Sequence, residues 1–213
     1  MIIEFLSVFT FISALIAIVF RLKKNVKLFS VFKPLTTILI ISIAVMTYMA
    51  NPSNYSLIII LGLLASLIGD IFLISEKYFL QGLSSFLIAH IAFTYAFTLL
   101  FGFNFNIIAL VALVIIGGSY YMFLFKKLDD FKIPVAVYIL VIMIMNWQAV
   151  GLMLNDASSV YIMLAVGSLL FSFSDAVISY DKFIGKFKIA EILILSTYWL
   201  AIYIFAVTAG SIQ

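Results

Sequence analysis

The 213-residue chain has no cysteine, a single histidine (His90), three prolines and only 10% charged residues. Without cysteine there is no disulfide, no thiolate metal site and no cysteine nucleophile. With one histidine, a zinc hydrolase site would have to lean on carboxylates, since such sites take three or four ligands and commonly several histidines. The shortage of charge comes with 66% apolar residues and a mean hydropathy of +1.31. A soluble domain is about half apolar and a quarter charged, so the chain reads as an integral membrane protein. Apolar runs of about 20 residues recur from end to end and leave no stretch for a separate soluble domain. The net charge of +3 gives no sign of a nucleic-acid partner. The first run carries Glu4 at its start and has no small-residue cleavage site after it, which reads as a retained helix rather than a signal peptide.

The runs predict an all-α protein of eight transmembrane helices, at about 2–20, 34–50, 56–75, 82–101, 107–125, 133–154, 160–180 and 189–209. All twelve basic residues fall on alternate connections. Arg21, Lys23, Lys24, Lys27 and Lys33 lie between spans 1 and 2, and Lys77 between spans 3 and 4. Lys126, Lys127 and Lys132 follow span 5, and Lys182, Lys186 and Lys188 follow span 7. The loops 51–55, 102–106 and 155–159 carry none. By the positive-inside rule the basic loops are cytoplasmic and both termini lie outside, an orientation expected in the plasma membrane of a bacterial cell.

Two stretches resemble each other. GLLASLIGDIFLISEKY (62–78) and GSLLFSFSDAVISYDKF (167–183) each place an aspartate in an apolar or small-residue run, followed by an acid, a lysine and an aromatic residue. Asp70 falls on Asp175, Gly62 on Gly167, Glu76 on Asp181 and Lys77 on Lys182. Spans 3 and 7 then run in the same direction. This predicts one transmembrane domain over 1–213, built as a parallel four-plus-four repeat of roughly 1–104 and 105–213 about an axis near the membrane normal. Such an axis brings Asp70 and Asp175 toward each other, each about five residues from the cytoplasmic end of its helix, or some 7–8 Å of rise.

An ionisable side chain in hydrocarbon costs at least about 2.5–3.5 kcal/mol and usually faces the bundle interior or a cavity. The embedded polar set is Asp70, Asp175, His90, Glu191, Asn146 and Gln148, with the hydroxyls of Ser66, Ser172, Tyr138 and Tyr198. Gly62, Ser66 and Asp70 share one face of span 3, and Ser168, Ser172, Asp175 and Ser179 form a similar stripe on span 7. Glu191 and Tyr198 share a face of span 8. Lys33-Pro34 is expected to open span 2 at the depth of the two aspartates, within reach of them or of a phosphate. Each residue also has a structural reading. The aspartates could serve as partners of Lys33, while His90, Asn146 and Tyr198 could serve as interhelical hydrogen-bonding residues. Two acids with little else point to acid–base chemistry, one carboxyl donating a proton and one carboxylate stabilising charge. No GxSxG elbow and no phosphate loop is present.

Several of these residues sit in segments that resemble the YhhN-like family of eight-helix membrane proteins, whose animal members are lysoplasmalogenases. The matching segments are Lys33-Pro34, GDIFL (69–73), FLQGLSSFLIAHIAF (79–93), Tyr138 through Ala149, GSLLFSFSD (167–175) and Thr197-Tyr198. After Tyr198 the family often shows Ala-Gln, where this chain has Leu200-Ala201-Ile202. The resemblance implies hydrolysis of the vinyl ether bond of a lysoplasmalogen to a fatty aldehyde and a glycerophospho-base. Asp70 and Asp175 would be the catalytic acids, and Lys33, His90, Tyr198, Glu191, Ser66, Ser172, Asn146 and Tyr138 would bind substrate or support them. Protonation of an alkenyl carbon needs no cofactor, and no metal is expected. The partners are a vinyl ether lysophospholipid and the membrane lipids around it. A small lipid or solute transporter is the alternative, since repeats and embedded acids also mark that class.

Overall fold

The computed structural model describes residues 2–210. Among them are eight helices and no strand: α1 Ile2–Leu22, α2 Val26–Ala50, α3 Asn54–Phe72, α4 Phe79–Phe101, α5 Ile107–Leu124, α6 Lys132–Asn155, α7 Ser159–Phe183 and α8 Ala190–Thr208. All eight are long and apolar enough to cross a membrane. The chain is an integral membrane protein of eight spans. Asn25, Ser53, Asn106 and Ser158 cap α2, α3, α5 and α7, each side-chain oxygen accepting a backbone N–H of the first turn.

Two of the boundaries that differ from the sequence reading bear on the aspartates. Helix α2 starts at Val26, not at Pro34, because Asn25 caps it upstream and the turns before the proline continue as helix. Lys33 is therefore two turns inside α2 and only 6% exposed, not at a helix mouth. Helix α3 stops at Phe72, where Ile74 and Ser75 donate to the carbonyls of Ile71 and Phe72 and turn the chain into the short three-ten turn Glu76–Tyr78. Helix α7 instead runs on to Phe183. Asp70 thus lies two residues from its helix end and Asp175 eight, or about 3 and 12 Å of rise. The expectation of equal depth along the two helices does not hold.

Packing is closest in the antiparallel pairs α3–α4 and α7–α8, with α2 beside α8 and α6 beside α4. Glycine sets the first two contacts. A Cβ at Gly62 would collide with the ring of Phe93, and one at Gly167 with the ring of Phe205. Phe93 and Phe205 then meet at the centre, ring centroids 4.9 Å apart, and Phe86 meets Tyr198 at 5.5 Å. Helices α1 and α5 are peripheral, with few buried residues. At the end away from the basic loops, Gln148 exchanges two hydrogen bonds with the backbone of Asn104, and the Trp147 indole donates to the Asn106 carbonyl. Gln148 therefore fastens the α4–α5 loop and stands apart from the aspartates.

Candidate active site

Asp70 is 1% exposed, and α2 and α8 supply its partners. Its Oδ2 accepts from Thr37 Oγ1 at 2.5 Å and from Tyr198 Oη at 2.8 Å. Lys33 Nζ lies 3.3 Å from Oδ1. Lys33 and Thr37 are one turn apart on α2, so a single helix face delivers both a cation and a hydroxyl. Thr37 Oγ1 in turn accepts from the Trp199 indole at 3.3 Å. A buried carboxyl group with a buried cation and two hydroxyl donors is held in one orientation.

Asp175 is served from α6 and α4. Tyr138 Oη donates to its Oδ2 at 3.0 Å, and His90 Nε2 lies 3.3 Å from the same oxygen. His90 Nδ1 is 2.6 Å from the Phe86 carbonyl. A carbonyl only accepts, so Nδ1 carries a hydrogen and Nε2 faces the carboxyl. Nε2 has no hydrogen-bond partner among the described residues.

Two cavities meet at Asp175. One, of about 310 Å³, is the more polar and opens at the basic-loop end; Arg21, Lys33, Asp70, Glu76, Lys182, Lys186, Glu191 and Tyr198 are on its wall. Its rim is charge-paired: Arg21 with Glu191 at 2.5 Å, and Glu76 with Lys186 at 3.1 Å and Lys182 at 3.7 Å. The other cavity, of about 330 Å³, is almost wholly apolar and lies among α5, α6 and α7, with Tyr138, Asn146, Ser172 and Asp175 its main polar residues. Leu73, Phe79, Phe86, Asp175 and Ile178 belong to both walls. Ile116, Leu169 and Phe173 line the apolar cavity yet are 66%, 47% and 48% exposed, so it borders the lipid-facing surface.

Most of the expected residues come together here, though not all as expected. His90 is fully buried behind Asp175 and borders neither cavity. Ser66 is buried on α3 with its hydroxyl unpartnered and away from both cavity walls. Glu191 sits at the polar rim with Arg21, one-third exposed, well apart from the Tyr198–Asp70 hydrogen bond. Thr37, Trp199 and Arg21 are additions to the site. Thr37 was signalled by its four-residue spacing from Lys33; nothing in the sequence singled out Trp199. Among the described residues no three carboxylate or imidazole groups gather as a metal site.

The chain is 36% identical to lysoplasmalogenase TMEM86A of Bos taurus over 158 residues, 71% of this chain and 64% of that protein. It is 30% identical to lysoplasmalogenase TMEM86B of Homo sapiens, over 76% of this chain and 68% of the relative. It is 26% identical to the membrane protein YhhN of Escherichia coli O157:H7, over 56% of this chain and 57% of the relative. The chain thus spans less than two thirds of the bovine protein's length. No solved structure matches it. The YhhN family model covers residues 28–209, which include both aspartates and every partner named for them, and the chain belongs to the YhhN family.

Proposed function

We propose that the protein is a membrane hydrolase that cleaves the vinyl ether bond of a lysoplasmalogen, releasing a fatty aldehyde and a glycerophospho-base. The observation that carries this reading is the junction of a polar and an apolar cavity at Asp175. A single-chain lipid placed across that junction has its tail among α5, α6 and α7 and its phosphate toward Arg21, Lys182 and Lys186. The bond joining head to tail then lies at the carboxyl. The relatives named lysoplasmalogenase support the same assignment.

The chemistry follows from the two carboxyl environments. Asp175, sharing a proton with His90, gives it to the outer carbon of the vinyl ether, and the adjacent carbon becomes an oxocarbenium ion. The Asp70 carboxylate, kept in one orientation by its partners, stabilises that cation. Water adds to the cationic carbon and returns a proton to Asp175, and the hemiacetal collapses to aldehyde and free glycerol hydroxyl. Tyr138 orients Asp175, while Thr37, Tyr198 and Lys33 hold Asp70. Aldehyde released from a lysoplasmalogen by the purified protein in detergent is the expected result; recovery of intact lipid would refute the reading.

The proposal includes the four-plus-four duplication and the orientation. Gly62–Phe93 and Gly167–Phe205 are like contacts in the two halves, and α2 on α8 has its counterpart in α6 on α4. The basic loops face the cytoplasm, so the polar cavity opens there. Reporter fusions after Asn54 and Asn104 are expected to read as external and one after Lys127 as cytoplasmic; a cytoplasmic signal at Asn104 would break this arrangement.

A further inference from the structure

Asn146 is 3% exposed and lies on the wall of the apolar cavity. Both hydrogens of its amide are committed. Nδ2 donates to the Ile142 carbonyl at 3.0 Å and to Ser172 Oγ at 2.6 Å. Ser172 Oγ itself donates to the Ser168 carbonyl at 2.8 Å, so it can only accept from Asn146. A carbonyl cannot donate to an amide oxygen, so the amide has one possible orientation. Asn146 Oδ1 is left as a buried acceptor without a partner among the described residues. Such an oxygen is costly to bury unless an O–H or N–H reaches it. Ser172 and Asp175 are three residues apart on α7, so they share a face and differ by about 4.5 Å of rise. The Asn146 amide is thus bonded to α7 about one turn deeper than Asp175.

We infer that Asn146 Oδ1 holds the hydrolytic water at the cationic carbon and so decides between hydrolysis and ring closure. The inference rests on the lysoplasmalogen reading. In such a lipid the hydroxyl on the glycerol carbon next to the ether-bearing one is free. Once the outer vinyl carbon is protonated, two oxygens compete for the cation. Water gives the hemiacetal and then the aldehyde. The lipid's own hydroxyl can attack the same carbon, forming a C–O bond and passing its proton to the Asp175 carboxylate. That route consumes no water and yields a five-membered cyclic acetal, an isomer of the substrate. Intramolecular attack of this kind is strongly favoured when the groups are adjacent, so an enzyme that releases aldehyde must place water firmly. An amide oxygen with both donors anchored is a rigid acceptor for that purpose. Its position beyond Asp175 puts the water on the side away from the glycerol hydroxyl.

The test compares products of wild type, Asn146→Leu and Ser172→Ala with one lysoplasmalogen in detergent, by mass spectrometry and loss of the vinyl proton signal. Asn146→Leu keeps the volume and removes the acceptor. It is expected to lower kcat about tenfold with KM within about twofold, and to divert turnover to a species of unchanged mass that lacks the vinyl ether. Ser172→Ala keeps Oδ1 and loosens one anchor, so it is expected to show a smaller diversion. If Asn146→Leu turns over with only aldehyde as product, the water-holding role is wrong. A rise in KM without diversion would assign the oxygen to the glycerol hydroxyl instead and would also overturn it. A wild-type protein without turnover would strike the enzymatic reading, a failure separate from either of these.

Discussion

Asp70 and Asp175 occupy matching segments of sequence but have unlike surroundings. Asp70 is enclosed by Lys33, Thr37 and Tyr198, all buried. Asp175 has Tyr138 and His90 on one oxygen and lies where two cavities meet. The contrast extends to the centre of the bundle. Tyr198 and Phe86 face each other there, and only the tyrosine has a hydroxyl to give, which it gives to Asp70. A pair of identical residues in matching segments thus acquires two different sets of partners through the packing neighbours alone. On one side the carboxyl group faces a buried lysine, on the other a buried histidine.

Substitution of Asp175 gives the largest expected effect on turnover. Asp175→Asn is expected to lose activity by about 10² or more, as for removal of a general acid, while the protein unfolds thermally close to wild type. Near-wild-type turnover would show that the proton comes from elsewhere. Asp70→Asn sharpens the comparison because it is expected to lose both activity and stability. It leaves Lys33 buried without its counter-charge, a loss of about 3–5 kcal/mol in typical buried pairs. Adding Lys33→Met to Asp70→Asn is then expected to restore the melting temperature but not turnover. If Asp70→Asn melts like wild type, the ion pair does not hold the site. Smaller effects are expected for the groups that act through Asp175. His90→Gln and Tyr138→Phe should each slow the reaction about tenfold, the scale of one hydrogen bond to a charged group. His90→Gln should also change the pH profile, whereas Tyr138→Phe should scale it without moving it; an unchanged profile in His90→Gln would detach the histidine from the proton.

The eight helices were legible because runs of about 20 apolar residues leave the chain few other choices. The two aspartates stood out because charge in such runs is rare and costly. The start of α2 was misplaced because Pro34 looks like a helix opener, and only the Asn25 cap upstream shows that the helix had begun earlier. The depth of the aspartates was misread because the matched stretches end differently: α3 turns at Leu73, while α7 continues to Phe183. The Arg21–Glu191 pair joins residues 170 apart, and no periodicity in either helix announces which loop will meet which. Ser66 shares a face with Asp70 by spacing, yet a shared face does not guarantee a cavity in front of it. The same limit applies to His90, whose place behind Asp175, off the cavity wall, is set by α4 packing on α6 and α7.

The central claim is that one lipid lies across the two cavities with its vinyl ether at Asp175. The most direct measurement is a structure of Asp175→Asn, which keeps the shape and lacks the proton donor, bound to an intact lysoplasmalogen. The account predicts the alkenyl chain among Leu113, Ile139 and Phe173, the phosphate within reach of Arg21 or Lys182, and the outer vinyl carbon about 3–3.5 Å from the side chain at 175, as a near-attack geometry requires. A lipid bound with its vinyl ether outside the junction, or with its chain in the polar cavity, would contradict it.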